Sequence, residues 1–167
     1  MIRHTLHRSS GLLLSTARRE FATKTIFTAQ ALVKGGRGDG EVTSEDGNLK
    51  LTFGLPLAMG GPGKHTNPEQ LFAAGYAACF QGAIGIAAKN NKVSVKSSSI
   101  NSHVALVQDD KGKLTVSVKF DVQLDGVDKA TAEKVIKDAH QICPYSNATR
   151  GNIDFKYNVL YPGLSSN

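Results

Sequence analysis

Tryptophan is absent from the 167-residue sequence, aromatic residues make up only 7% of it, and there are two cysteines. Two thiols cannot build a disulfide scaffold or a four-thiolate zinc site. No stretch approaches the ~18 uninterrupted apolar residues of a membrane span, so a chain without one is expected. Charge of either sign is modest, at 20% of residues against 40% hydrophobic, which excludes a disordered polyelectrolyte. A chain of this length buries roughly two-thirds of its unfolded surface and needs no metal or disulfide staple. What is abundant is glycine, at 17 residues. One soluble domain is expected, with one possible cysteine pair.

The net charge of +6 is unevenly spread. Arg3, Arg8, Arg18 and Arg19 against the single acid Glu20 place half of it in residues 1–21. The remainder is mildly basic and lacks a basic stripe interleaved with aromatics, which argues against a nucleic-acid partner. Residues 1–21 read as a mitochondrial presequence, arginine-rich and amphipathic, with Ile2, Leu6, Leu13 and Ala17 on one apolar stripe. Cleavage is expected after Phe21 and a matrix location follows. Residues 22–167 form the domain. The apolar run at Leu12 to Leu14 is too short for a secretory signal.

Strands are expected at residues 25–33, 41–44 and 49–53. The first two are joined by the glycine turn around Arg37, the last two by Asp46-Gly47. After a Gly/Pro loop over 54–65, residues 67–89 read as a helix apolar on nearly every face. Such a helix must be buried all round, under a wrapping sheet or on a dimer interface. Strands follow at 93–107 and 114–124, the second alternating from Leu114 to Leu124 with period two. Asp128 caps a second helix that runs to Cys143 and stops at Pro144, and residues 153–159 form a last strand. The order β3-α-β2-α-β makes one α+β domain.

Several motifs carry no chemistry. The glycine turn leads into a strand and makes no dinucleotide fingerprint. Gly60-Gly61-Pro62-Gly63-Lys64-His65 lacks the hydroxyl that a P-loop needs after its lysine. His140 and Cys143 lie three apart on a helix with no third metal ligand in view, so no metal site is expected. Thr66-Asn67-Pro68-Glu69 has capping-box spacing, so Glu69 has a plain structural role open to it. Cys79 and Cys143, both in apolar contexts, are open either to packing or to redox chemistry.

The stretch Thr66-Asn67-Pro68-Glu69-Gln70-Leu71-Phe72-Ala73-Ala74-Gly75-Tyr76-Ala77-Ala78-Cys79-Phe80 closely resembles the signature of the OsmC/Ohr superfamily of thiol peroxidases. Gln141-Ile142-Cys143-Pro144-Tyr145-Ser146-Asn147-Ala148-Thr149-Arg150-Gly151-Asn152 resembles the second signature of its organic hydroperoxide resistance branch. The Gly-Gly-Arg turn is that branch's third mark, here one residue longer because of Gly38.

The resemblance implies an OsmC-like fold, an intertwined homodimer with a central buried helix, and reduction of organic hydroperoxides to alcohols. It assigns Cys79 as peroxidatic thiolate, Cys143 as resolving thiol, Arg37 as activating cation and Glu69 as the carboxylate orienting it. A cysteine in an apolar site resists ionisation, and a nearby guanidinium reverses that. No cofactor is expected to be bound. The reductant implied is the dihydrolipoyl thiols of lipoylated proteins. If Glu69 and Cys79 share one straight helix, ten residues separate them by ~15 Å. One guanidinium cannot reach both, so a site shared by two chains is expected. Leu55, Leu57, Met59, Phe72 and Phe80 are candidates for the walls of an apolar substrate channel, or for plain core. The rival readings are a non-catalytic dimeric ligand-binding or stress protein with packed cysteines, and the sister OsmC branch.

Overall fold

The computed structural model describes residues 24–161. The presequence expected over 1–21 lies outside them. Three short strands, β1 (Ala31–Lys34), β2 (Glu41–Ser44) and β3 (Lys50–Thr52), pair antiparallel in chain order. The Asp46-Gly47 turn between β2 and β3 is as expected, with Gly47 at φ 75°. The first strand is shorter than the sequence suggests. Residues 24–30 face no partner strand among the described residues and are exposed, Ile26 and Phe27 conspicuously so.

The loop after β3 contains one turn of 3-10 helix, Leu57–Met59. Gly61 is obligatory here, because a Cβ would stand 2.2 Å from the Leu55 carbonyl oxygen. Helix α1 (Pro68–Asn90) then runs unbroken for 23 residues. Its cap is one residue later than the Thr66/Glu69 spacing implies. The Asn67 side chain accepts from Gln70 N–H, and the Gln70 side chain accepts from Asn67 N–H. Glu69 is thereby released from capping.

By length and composition α1 would pass for a membrane span. Its inward face, Tyr76, Phe80, Ala83, Ile84, Ala87 and Ala88, is instead packed into the core of the domain. The expectation of burial all round is corrected for the single chain, since Ala74, Ala78, Gly82, Gly85 and Ile86 lie exposed along the opposite face.

Strands β4 (Ser97–Gln108) and β5 (Leu114–Asp125) form a twelve-residue antiparallel hairpin. Residues 93–96, expected to open β4, instead turn the chain out of α1, with Lys92 at φ 55° and Val93 N–H bonded to the Ala88 carbonyl. Helix α2 (Lys129–Ile142) is capped by Asp128 as anticipated. Pro144 does not merely stop it, but occupies the first turn of a further short helix, α3 (Pro144–Thr149). Strand β6 (Asp154–Leu160) returns parallel to β5. The core sits between the alternating face of β5 (Val118, Phe120, Val122, Leu124), α1, and Ala132, Val135, Ile136 and Ala139 of α2.

Candidate active site

Two separate constellations emerge, one at each end of the first half of α1. At its N-terminus, the β1–β2 turn presents Arg37 to Glu69. The turn is closed by Gly40 N–H bonding the Gly36 carbonyl, and a Cβ on Gly40 would stand 2.4 Å from that oxygen. The extra Gly38 does not divert the guanidinium. Arg37 Nη2 donates to Glu69 Oε1 at 2.8 Å and Nη1 to Oε2 at 3.2 Å, a two-pronged pair. Nη1 also lies 3.8 Å from Met59 Sδ. Burial pushes the Glu69 carboxyl up, but the hydrogen bonds from Arg37, its own backbone N–H and the Arg37 charge together outweigh it and hold it below the ordinary glutamate value.

Three turns further along α1 lies the second constellation. Cys79 Sγ and Cys143 Sγ are 3.4 Å apart, both free, with Cys143 fully buried and Cys79 partly exposed. α1 brings one sulfur and the α2–α3 junction the other. Burial pushes the Cys79 thiol up; the backbone N–H of Tyr145 opposes this, and the neighbouring Cys143 adds to it, leaving the thiol above its ordinary value. Among the described residues, no cation of the same chain acts on it. The straight α1 keeps the two constellations ~15 Å apart along its axis.

Of the expected channel residues, Leu57 and Met59 are exposed on the 3-10 turn. Leu55 is half-buried beside Gly38. Phe72 is half-buried against Tyr76 and Tyr145, with ring centres at 5.8 and 6.4 Å. Phe80 is withdrawn from the channel: it is wholly buried, edge-on to Phe120, and belongs to the core. Beside Glu69 an open groove of about 900 Å³ runs between Met59, Ala73, Val104, Leu106 and Val118.

The structure adds polar groups near the two sulfurs that have no assigned role in the sequence motifs. Tyr76, Ser146, His140 and Thr149 form one hydrogen-bonded set. The signal was available, since Tyr76 precedes Cys79 by three residues and Ser146 follows Cys143 by three. His140, weighed only as a metal ligand, instead bonds Ser146 through Nδ1.

Residues 61–158 match the family described as OsmC-like protein. The organic hydroperoxide resistance protein of Xanthomonas axonopodis pv. citri is 45% identical over 133 residues, 78% of this chain and 92% of the relative. The crystal structure of the organic hydroperoxide resistance protein OsmC of Legionella pneumophila superposes with a TM-score of 0.78 at 43% identity, covering 83% of this chain and all of that one. OhrB of Bacillus subtilis gives 0.74 at 41% identity, covering 81% of this chain and 100% of that one. These relatives are bacterial proteins, which have no mitochondrion to enter, and they overturn the matrix location expected from residues 1–21. The arginine-rich composition of a short segment is weaker ground than likeness over four-fifths of the chain.

Proposed function

Because the chain belongs to the OsmC-like protein family, we propose that it is a thiol-dependent peroxidase that reduces organic hydroperoxides to alcohols. The observation that carries this reading is the 3.4 Å approach of the two free sulfurs. Packing alone does not require two thiols at that distance, one sealed in the core and one open to solvent.

In the reaction, Cys79 thiolate attacks the terminal oxygen of R–O–O–H. An S–O bond forms, the O–O bond breaks, and the departing alkoxide takes a proton to become the alcohol. Cys79 is left as a sulfenic acid. The sulfur of Cys143 then displaces that oxygen as water, and the two cysteines are joined in a disulfide. A thiol raised by burial performs the first step poorly at neutral pH unless a cation faces it.

Arg37, oriented by Glu69, supplies that cation from a second copy of the chain, and its fork receives the leaving oxygen. The two-fold homodimer is supported by the apolar α1 face left open in the single chain, with Ala78 next to Cys79 and Gly82 three residues beyond it. Leu55, Leu57, Met59 and Phe72 suit the alkyl or fatty-acid part of the substrate. Cys143 is buried and Cys79 is not, so a reductant enters at Cys79 through one sulfur. A vicinal dithiol of the dihydrolipoyl class, carried on a lipoylated protein, then completes the exchange with its own second sulfur.

The test is mass spectrometry after one equivalent of an alkyl hydroperoxide. Loss of two hydrogens with Cys79 linked to Cys143 is expected. Thiols left unmodified, with the peroxide unconsumed, return the cysteines to a packing role. Recycling by dihydrolipoamide and not by glutathione identifies the reductant class, and the reverse pattern removes it.

A further inference from the structure

The pair of sulfurs is one rung of a two-rung ladder. Tyr76 and Cys79 stand three apart on one face of α1, and Cys143 and Ser146 span the first turn of α3. Cys79 meets Cys143 at 3.4 Å, and Tyr76 Oη meets Ser146 Oγ at 3.0 Å.

The hydroxyl rung is held from every side. Tyr76 has no exposed surface, and its ring lies edge-on to Phe120 at 4.9 Å and against Phe155 at 5.5 Å. Ser146 is equally buried and lies 3.1 Å from His140 Nδ1. The His140 ring is stacked on Phe155 at 4.7 Å and 8°, and its carbonyl accepts from Arg150 Nη2 at 2.6 Å. Burial, and then the charge of Arg150, hold the His140 imidazole below its ordinary value.

Tyr76 Oη lies between Ser146 Oγ and Thr149 Oγ1, at 3.0 and 3.3 Å, and Thr149 O–H donates to the Tyr145 carbonyl at 2.8 Å. Removing one member takes a hydrogen-bond partner from its buried neighbours, Tyr76 or Ser146, a cost the turn relieves by moving.

We propose that Ser146, clamped between Tyr76 and His140, is a positioning residue for the resolving step, holding the Cys143 turn so that disulfide closure outruns further oxidation of Cys79. This rests on the peroxidase reading above. The competition is set by chemistry. The Cys79 sulfenic acid either loses its oxygen as water to the Cys143 sulfur, or is oxidised by a second hydroperoxide to the sulfinic acid, which thiols do not reverse. Among the described residues, the hydroxyl rung makes no hydrogen bond to either reacting sulfur. Its effect is on their approach, where a misplacement near 1 Å costs roughly 100-fold.

The test compares Tyr76→Phe and Ser146→Ala with the wild-type chain. Tyr76→Phe keeps the ring and its packing and deletes only the hydroxyl. Sulfenic acid formation and disulfide closure are followed separately by stopped-flow and by alkylation with mass analysis. The ratio of closure to sulfenic acid formation should fall by roughly 100-fold in both variants. The fraction of Cys79 carrying two added oxygens should rise in step with peroxide concentration. In a Cys143→Ser background, where no closure occurs, Tyr76→Phe should add nothing to that fraction; a loss of general stability would not show this dependence. Closure at the wild-type ratio in Tyr76→Phe, or extra oxidation that persists without Cys143, overturns the proposal. A wild-type protein that forms no Cys79–Cys143 bond overturns the parent reading instead.

Discussion

Arg37 and Cys79 pose the sharpest problem at the scale of single residues. Burial holds the thiol protonated, and the guanidinium that would release it is engaged with Glu69 in the first turn of the helix. Arg37→Ala should lower the rate with an alkyl hydroperoxide roughly 100- to 1,000-fold, as deletion of one charge-stabilising donor does. Arg37→Lys should not restore it, because an ammonium cannot reproduce the two-pronged pair. The pH profile reports the same interaction. The thiolate is the deprotonated form, so loss of a cation raises the thiol pKa and cuts the thiolate fraction at neutral pH. The rising limb of sulfenic acid formation should therefore move to higher pH in Arg37→Ala; an unmoved limb removes Arg37 from the activation of Cys79. For Glu69 the sign is opposite. Its folded pKa lies below the ordinary 4.5. Its contribution to stability is present above that value and is lost as pH falls through the folded pKa. Acid titration of stability should flatten in this range in Glu69→Gln.

Among the elements, α1 teaches most about what a pattern conceals. Its existence and length are legible in the unbroken Ala/Gly-rich run, and β5 in its alternation. The cap is displaced because two boxes one residue apart compete, Thr66 with Glu69 and Asn67 with Gln70. Pro68, already in the helix at its first position, favours Asn67 as the flanking residue. Asn67→Ala should destabilise the protein by about 1 kcal/mol in chemical denaturation; a change near zero would show the cap to be idle. The same displacement frees Glu69 for Arg37, so a one-residue shift at a helix end decides whether a carboxylate is structural or functional. Helix α3 is not legible in the sequence because Pro after a helix reads as a stop, although it serves equally as the first residue of the next. The sequence suggests a longer β1 because β propensity marks residues that suit a strand, while the ladder extends only as far as β2 provides a partner.

For the whole molecule, the single chain is conspicuously unfinished. The small β1–β2–β3 sheet leaves Leu32 and Val33 exposed, and α1 turns a row of small residues and Ile86 outward. The proposed dimer covers this face and carries Arg37 of one chain toward Cys79 of the other. Gly82 and Gly85 allow a clean test, since a Cβ at either meets nothing within 4 Å in the chain. Gly82→Arg should preserve or improve the helix, because glycine is a poor helix former. It should nevertheless elute as a monomer and lose hydroperoxide reduction, while a small oxidant such as diamide still joins Cys79 to Cys143. A dimer of unchanged mass, or an active monomer, would contradict the shared site.

By itself the sequence determined the order of the elements apart from α3, the alternating core strand and the identity of the chemical groups. Each of these is written in local spacing or in two long motifs. The tertiary structure alone decided which groups meet. It set 3.4 Å between sulfurs 64 residues apart in sequence, the Arg37–Glu69 fork across 32, and the Tyr76–Ser146 rung across 70. It also decided which side of an evenly apolar helix is buried. Periodicity ranks the faces of an element only when they differ in polarity, and contacts between distant segments depend on how those faces pack, which no local window contains.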